Sequence, residues 1–271
     1  MSKGKLIAIS GPPGCGKTTF TLKLAQEVYT ATKKKVAYLS SDTLVPALGQ
    51  IFPLREKKNL ISLGAALEKT DLTSSDLLGV IATTQAMSDM GYMGYAPGEN
   101  AYSYPQLQED KVVKMFTLLQ NDYDYIFVDC DRLHEDLISS VAIGLSDHLI
   151  QLINPDKKSI AYYSFVQIQE RAIQVLNMLD NDVYLPIPEA RDFFPGIRFK
   201  ILYSRPLKMQ WYEGELMDLI KDPVYRKALK PIVEIITKEP EEAMPAEDEF
   251  SGEVAEDAQK ASTTDDDEFW K

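Results

Sequence analysis

The chain is poor in cysteine and histidine, with two of each in 271 residues. So few cysteines exclude a disulfide scaffold. Cys15 and Cys130 fall in segments read as loop or buried, which suits a reducing compartment. His134 and His148 stand too far apart, and are too few, to build a histidine metal cluster, and each reads as a helix or strand-end residue. No run of about 18 apolar residues occurs, which excludes a membrane-spanning helix of the usual kind. The opening MSKGKLIAIS has neither the long apolar stretch nor the small-residue cleavage site of a secretory signal, so a cytoplasmic location is expected.

An excess of positive charge is also lacking. The formal net charge is −12, and residues 239–271, with 13 acidic residues and 2 lysines, carry −11 of it. The first 238 residues are therefore close to neutral, near −1. A neutral body offers no general electrostatic attraction for DNA or an anionic membrane, so DNA is not expected as a partner, although a local basic patch stays open. The tail is rich in Glu, Asp, Ala, Ser and Thr and cannot bury enough apolar surface to fold alone. The expected organisation is one domain over 1–238 and a disordered acidic tail over 239–271. The tail ends DDDEFWK. It reads either as a solubilising segment or as a docking segment, in which acids steer and Phe269 and Trp270 anchor.

What the sequence does contain begins at KLIAIS, residues 5–10, a short apolar run that reads as a buried strand. It leads into Gly11-Pro12-Pro13-Gly14-Cys15-Gly16-Lys17-Thr18, which fits G-x-x-x-x-G-K-[ST] at every fixed position. Glycines let backbone N–H groups turn inward around phosphates, and the positive end of the following helix, read over 18–32, adds to the attraction. In such a loop Lys17 reaches the β- and γ-phosphates, the Thr18 hydroxyl ligates Mg²⁺, and Thr19 contacts the α-phosphate. Cys15 is a small residue suited to a tight turn, open to oxidation only if exposed.

KKKVAYLSSD supplies a second strand with Asp42 just beyond it, which completes a βαβ unit. YDYIFVDCD is the clearest buried strand, and its Asp129 follows four apolar residues as a magnesium-shell acid would. Asp42 is assigned to orienting a water or to the outer shell of the metal; Asp131 is left open between a switch-loop role and none. Further elements are read as an edge strand at 91–96, helices over 106–120, 134–146 and 159–179, strands DHLIQLIN and FKILYSR, and a helical stretch over 211–236. The tyrosines at 92, 95, 102 and 104 read as packing beneath a loop or as a partner face. Lys33 to Lys35 read as a solvated helix end. The fold class expected is α/β: a three-layer P-loop NTPase with a mostly parallel central sheet flanked by helices.

These residues resemble the MinD/ParA class of P-loop ATPases, and within it the CpaE/TadZ-like branch. VAYLSSDTLVPALGQIFP resembles the class's second strand and first switch, where Asp-x-Asp is common and this chain has Ser40-Ser41-Asp42. YDYIFVDCDRLHEDLISSVAIGLSDHLIQLINPDKKSI resembles its metal-acid strand, second switch and next strand. FKILYSRP falls where the class places an adenine-contacting loop, which makes Ser204 and Arg205 base-site candidates and leaves the usual Asn missing there.

The resemblance implies ATP and Mg²⁺ as cofactors, Lys17, Asp42 and Asp129 as the catalytic set, and Thr18 and Asp129 at the metal. It also implies a homodimer, and a protein partner on the cytoplasmic face of a membrane machine. One departure is marked: the lysine that the class carries near the start of the loop, reaching across a dimer, is Pro12 here. That implies slow hydrolysis and no ATP-driven sandwich dimer. The class's basic membrane helix is also missing, so no direct membrane insertion is expected. The resulting expectation is an ATP-binding switch that positions or assembles a pilus, secretion or conjugation apparatus. The alternatives are a partition ATPase, a small-molecule kinase or a scaffold without turnover. The arginines are scattered rather than gathered into a kinase-like lid, with Arg132 alone near a phosphate motif.

Overall fold

The computed structural model describes residues 3–52, 60–131, 136–180 and 186–238. Expectations for Arg132, His134 and the 239–271 tail, with Phe269 and Trp270, lie outside the described residues.

The central strand β1 (Lys5–Ser10) buries alternate side chains in two different layers, Ile7 and Ile9 on one face and Leu6 and Ala8 on the other. A strand buried on both faces is what a parallel sheet requires, and it explains the unbroken apolar run. β2 (Val36–Ser40) and β5 (Tyr125–Asp129) follow the same rule: Tyr38 and Phe127 join Ile7 and Ile9, whereas Leu39 and Val128 join Leu6 and Ala8. Each of the larger aliphatic or phenyl side chains among them, fully buried, contributes roughly 1.5–3 kcal/mol of apolar burial.

With β3 (Ala82–Thr84), β4 (Met87–Met93), β6 (His148–Ile153), β7 (Ile173–Leu179) and β8 (Ile197–Leu202), these strands form one sheet in the order β3-β4-β2-β5-β1-β6-β7-β8. Every neighbouring pair is parallel except β3–β4. On one face lie α1 (Lys17–Thr32) and α10 (Pro223–Thr237), with Leu207 of α9 (Arg205–Glu213). On the other lie α3 (Leu63–Leu67), α4 (Ser74–Val80), α5 (Glu109–Asp122) and α6 (Leu137–Leu145). The short α2 (Leu48–Ile51) joins the first layer, and α7 (Lys157–Phe165) and α8 (Ile187–Phe193) pack at the β6–β8 side around Ile153, Leu176 and Phe194. This is the three-layer α/β architecture expected from the sequence.

Three expected elements differ. Of the segment read as an edge strand at 91–96, residues 91–93 are the end of β4 and 94–96 lie beyond it; β4 sits inside the sheet between β2 and β3, and the edge is the three-residue β3, whose register shifts at Thr83/Thr84. A short, irregular edge is poorly suited to pairing with another chain. The helix read over 159–179 is two elements, because Ile173, Val175, Leu176 and Leu179 are buried in a strand between β6 and β8. Apolar spacing in so short a run fits either period. The stretch read as helical over 211–236 is broken between α9 and α10. Gly214 ends α9 with φ 71°, and Asp222 caps α10 just ahead of Pro223.

Candidate functional site

The Gly-rich loop turns back on itself between β1 and α1, with Cys15 N–H donating to the Pro12 carbonyl at 3.2 Å. Gly14 and Gly16 have φ of 79° and 85°, in the left-handed region that other residues avoid, so the motif's glycines meet a backbone demand. Gly16 meets a steric one as well: a Cβ there would lie 3.1 Å from Asn177 Nδ2 and from Met178 Sδ. Lys17 is 8% exposed and donates through Nζ to the Gly11 and Pro12 carbonyls at 3.1 and 3.3 Å, so its ammonium is held inside the loop. Cys15 is buried, and burial pushes its thiol up to about 11, which makes it a packing residue rather than an oxidation site.

Parallel pairing sets Asp129 opposite Ile9 on β1 and Ser40 on β2, at the carboxyl ends of the three strands. There Thr18 Oγ1 donates to Asp129 Oδ2 at 2.7 Å, and the buried Tyr38 hydroxyl donates to the same oxygen at 3.1 Å. Burial pushes the Asp129 carboxyl up; the Thr18 hydroxyl, the Lys17 ammonium and the Tyr38 phenol oppose that shift. Asp42 accepts from Leu44 and Val45 N–H at 3.0 and 2.8 Å, which fixes the chain as it leaves β2. Gly14, Lys17, Thr18, Asp42, Asp129 and Asp131 line one open cleft of about 460 Å³. The sequence therefore selected residues that the fold does bring together.

The loops following β2 and β5 are also joined to each other. Ser41 and Ser139 hydroxyls lie 2.7 Å apart, and Asp131 N–H donates to both, at 2.9 and 3.1 Å. Asp136, capping α6, accepts from the Ser139 hydroxyl, and burial raises its carboxyl against that bond. Among the described residues no group of three His, Cys, Asp or Glu side chains could cage a metal. One hydroxyl and one carboxylate at a phosphate loop suit Mg²⁺, which keeps several waters and shares its shell with substrate phosphates.

Beside the cleft lies a second, more apolar pocket of about 200 Å³, lined by Gly16, Asn177, Met178, Tyr203, Leu207 and Trp211 among others. Asn177 is buried at the end of β7 and donates through Nδ2 to the Cys15 carbonyl at 2.8 Å, which ties this pocket to the phosphate loop. Sequence reasoning missed Asn177 because it lay inside the misread helix; the signal was the apolar run IQVLNML, long enough for a strand. Ser204 also lines the pocket, with its hydroxyl donating to Asp222 at 2.7 Å and capping α9 through Leu207 N–H. Arg205 is the exposed first residue of α9 and lines neither space.

The segment between α9 and α10 is fastened to α1. Lys23 is fully buried and donates through Nζ to the Leu216 and Asp218 carbonyls at 2.6 and 2.5 Å, and Gln26 donates to the Met217 carbonyl at 2.7 Å. Burial lowers the Lys23 ammonium to about 7. Of the tyrosines, Tyr92 and Tyr95 are core residues and Tyr102 is 86% exposed; Lys33 to Lys35 form a solvated helix end as expected. His148 is half-buried at the start of β6, away from the cleft residues. No helix among the described residues is long and apolar enough to cross a membrane.

No protein-family model and no curated protein matches the sequence. Solved structures do. The septum site-determining protein MinD from Pyrococcus horikoshii, complexed with Mg-ADP, is 20% identical with a TM-score of 0.65, covering 87% of this chain and 96% of its own. A ParA family ATPase from Chlorobium tepidum has a TM-score of 0.69 at 12% identity, covering 86% and 98%. A plasmid partition protein from Borrelia burgdorferi bound to AMPPNP has a TM-score of 0.63 at 18% identity, covering 86% and 98%. With the phosphate loop at the carboxyl end of β1 and the acid at the end of the adjacent β5, the chain has the fold of the MinD/ParA ATPases.

Proposed function

We propose that the chain is a cytoplasmic ATP-binding switch of the MinD/ParA type, of the CpaE/TadZ-like branch, that positions or assembles a larger machine such as a pilus, secretion or conjugation apparatus. The observation that carries this reading is the convergence of Lys17, Thr18, Asp42 and Asp129 in one cleft that adjoins an apolar pocket of base-like size. The loop amides and Lys17 bind the phosphates, and Asn177, Tyr203 and Trp211 surround the base, with Ser204 and Arg205 at the start of the helix above it. Thr18 and Asp129 are the residues that would hold a Mg²⁺ ion here, which would supply positive charge against the β- and γ-phosphates. Asp42 orders the chain after β2, and the Ser41–Ser139–Asp131 bonds let a ligand-induced change there be felt after β5.

The buried Pro12 stands where a lysine would reach a partner's phosphates, which favours slow hydrolysis and dimerisation that does not depend on ATP alone. The partner reading is supported by a neighbour of the same fold that is a MinC:MinD complex. The domain assignment, 1–238 with an acidic recruitment tail over 239–271, belongs to the same reading. A partition ATPase is the second reading, favoured by the plasmid partition protein among the structural neighbours. A titration of the folded Lys17→Ala variant with Mg-ATP is the test: loss of binding supports the site, and affinity equal to the parent's removes it. Pull-downs with and without ATP, compared with DNA retention, then separate a protein machine from DNA as the target.

A further inference from the structure

Tyr38 is the feature of the site that neither the motif nor the fold requires. It is fully buried on β2, its ring set 6.3 Å from that of Tyr92, and its hydroxyl reaches Asp129 Oδ2 at 3.1 Å. The same oxygen accepts from Thr18 Oγ1 at 2.7 Å. Two hydroxyls therefore converge on Oδ2, one from the first turn of α1 and one from the neighbouring strand β2. Oδ1 accepts from no described group, in a side chain that lines the cleft. A carboxylate gripped through one oxygen from two directions has its torsion fixed. A lone Thr18 contact would leave it free to swing about that bond.

We infer that Tyr38 is a positioning residue for the divalent-cation site, holding Asp129 so that Oδ1 faces the waters of a cation bound with the nucleotide. The inference rests on the nucleotide reading above. It also assigns the Thr18 hydroxyl proton to Asp129, which leaves the Thr18 oxygen lone pairs pointing into the cleft for the cation itself. The competing account is that Asp129 merely satisfies the hydroxyl of a core tyrosine, as buried tyrosines require. The two differ in what removal of that one oxygen atom does.

Tyr38→Phe keeps the ring and its packing. In the full-length chain, ATP affinity is measured by calorimetric titration in EDTA and across a Mg²⁺ series. Loss of one positioning hydrogen bond is expected to raise the Mg²⁺ concentration for half-saturation about five- to tenfold, with metal-free ATP affinity and Tm close to the parent's. In an Asp129→Ala background the same substitution should change the Mg²⁺ series no further. An unchanged Mg²⁺ curve, an equal loss in the Asp129→Ala background, or a parallel fall in metal-free affinity would each overturn the inference. Lys17→Ala distinguishes the failures. If it abolishes ATP binding while Tyr38→Phe is silent, only the role of Tyr38 falls; if it binds ATP like the parent, the nucleotide reading falls and takes this inference with it.

Discussion

The half of the cleft proposed to hold phosphate draws most of its groups from one short run, residues 13–19, and adds acids at or just past the ends of two strands. The apolar half shares Gly14, Gly16 and Thr19 with that run and otherwise draws on four separate places: Asn177 and Met178 near the end of β7, Leu202 to Ser204 at and after the end of β8, Leu207, Lys208 and Trp211 on α9, and Tyr225 on α10. A phosphate site needs backbone amides and an ammonium, whose placement a short motif can encode locally. A flat apolar ligand needs walls, and walls come from whichever elements the topology stacks there. The difference predicts that damage to the first half affects every nucleoside triphosphate alike, and damage to the second alters preference among bases.

The largest effect that would break this division is that of Lys17→Ala, expected to weaken ATP and GTP together by 100-fold or more, about 3 kcal/mol; a loss confined to one nucleotide would mean that the halves are not separate. Next is Lys23→Ala, which lies in neither half but fastens the α9–α10 segment to α1. Leaving the buried Leu216 carbonyl and the part-buried Asp218 carbonyl without their donor should lower stability by about 2 kcal/mol in chemical denaturation. Lys23 also gives a pH signature. Its amine titrates near 10.5 in the unfolded chain and near 7 when folded. Between those values the unfolded state binds more protons, so stability should rise with pH across that window. Lys23→Met should remove that rise, and a parent curve that falls there would contradict the burial account.

A smaller effect is expected for Asn177→Ala: about tenfold weaker ATP binding, roughly 1.4 kcal/mol, with inorganic tripolyphosphate affinity nearly unchanged. Equal losses for both ligands would show that its bond to the Cys15 carbonyl shapes the phosphate loop more than the base pocket. Smallest is Arg226→Ala. Its pair with Glu27 at 2.9 Å ties α10 to α1 but is partly exposed, so denaturation should register no more than about 1 kcal/mol, less in high salt.

The same division governs how far the sequence could be read. Residues 5–18 and 125–129 announce strand, loop, helix and acid because each is a local pattern, and the structure places them as expected. Asn177 was hidden because the fate of 159–179 depends on a parallel crossover back to the sheet beside β6, and helical and strand periods both fit its apolar residues. The β3–β4 edge was hidden for a related reason: β4 is covered only because three residues, 82–84, fold back along it. Tyr38 was invisible as a site residue because its contact with Asp129 exists only through the β2–β5 register across 91 positions of sequence. Asp129 needed only to end a strand and Asp42 to follow one closely, and that much a sequence shows.

Trp211 lines both the phosphate cleft and the apolar pocket, and the chain's other tryptophan, Trp270, lies in the acidic tail. A Trp270→Phe protein would thus carry a single indole chromophore at the junction of the two halves. Its emission should respond to a bare polyphosphate and to a nucleoside with spectral changes of different size. The protein would then report optically which part of a ligand has arrived, without any attached dye.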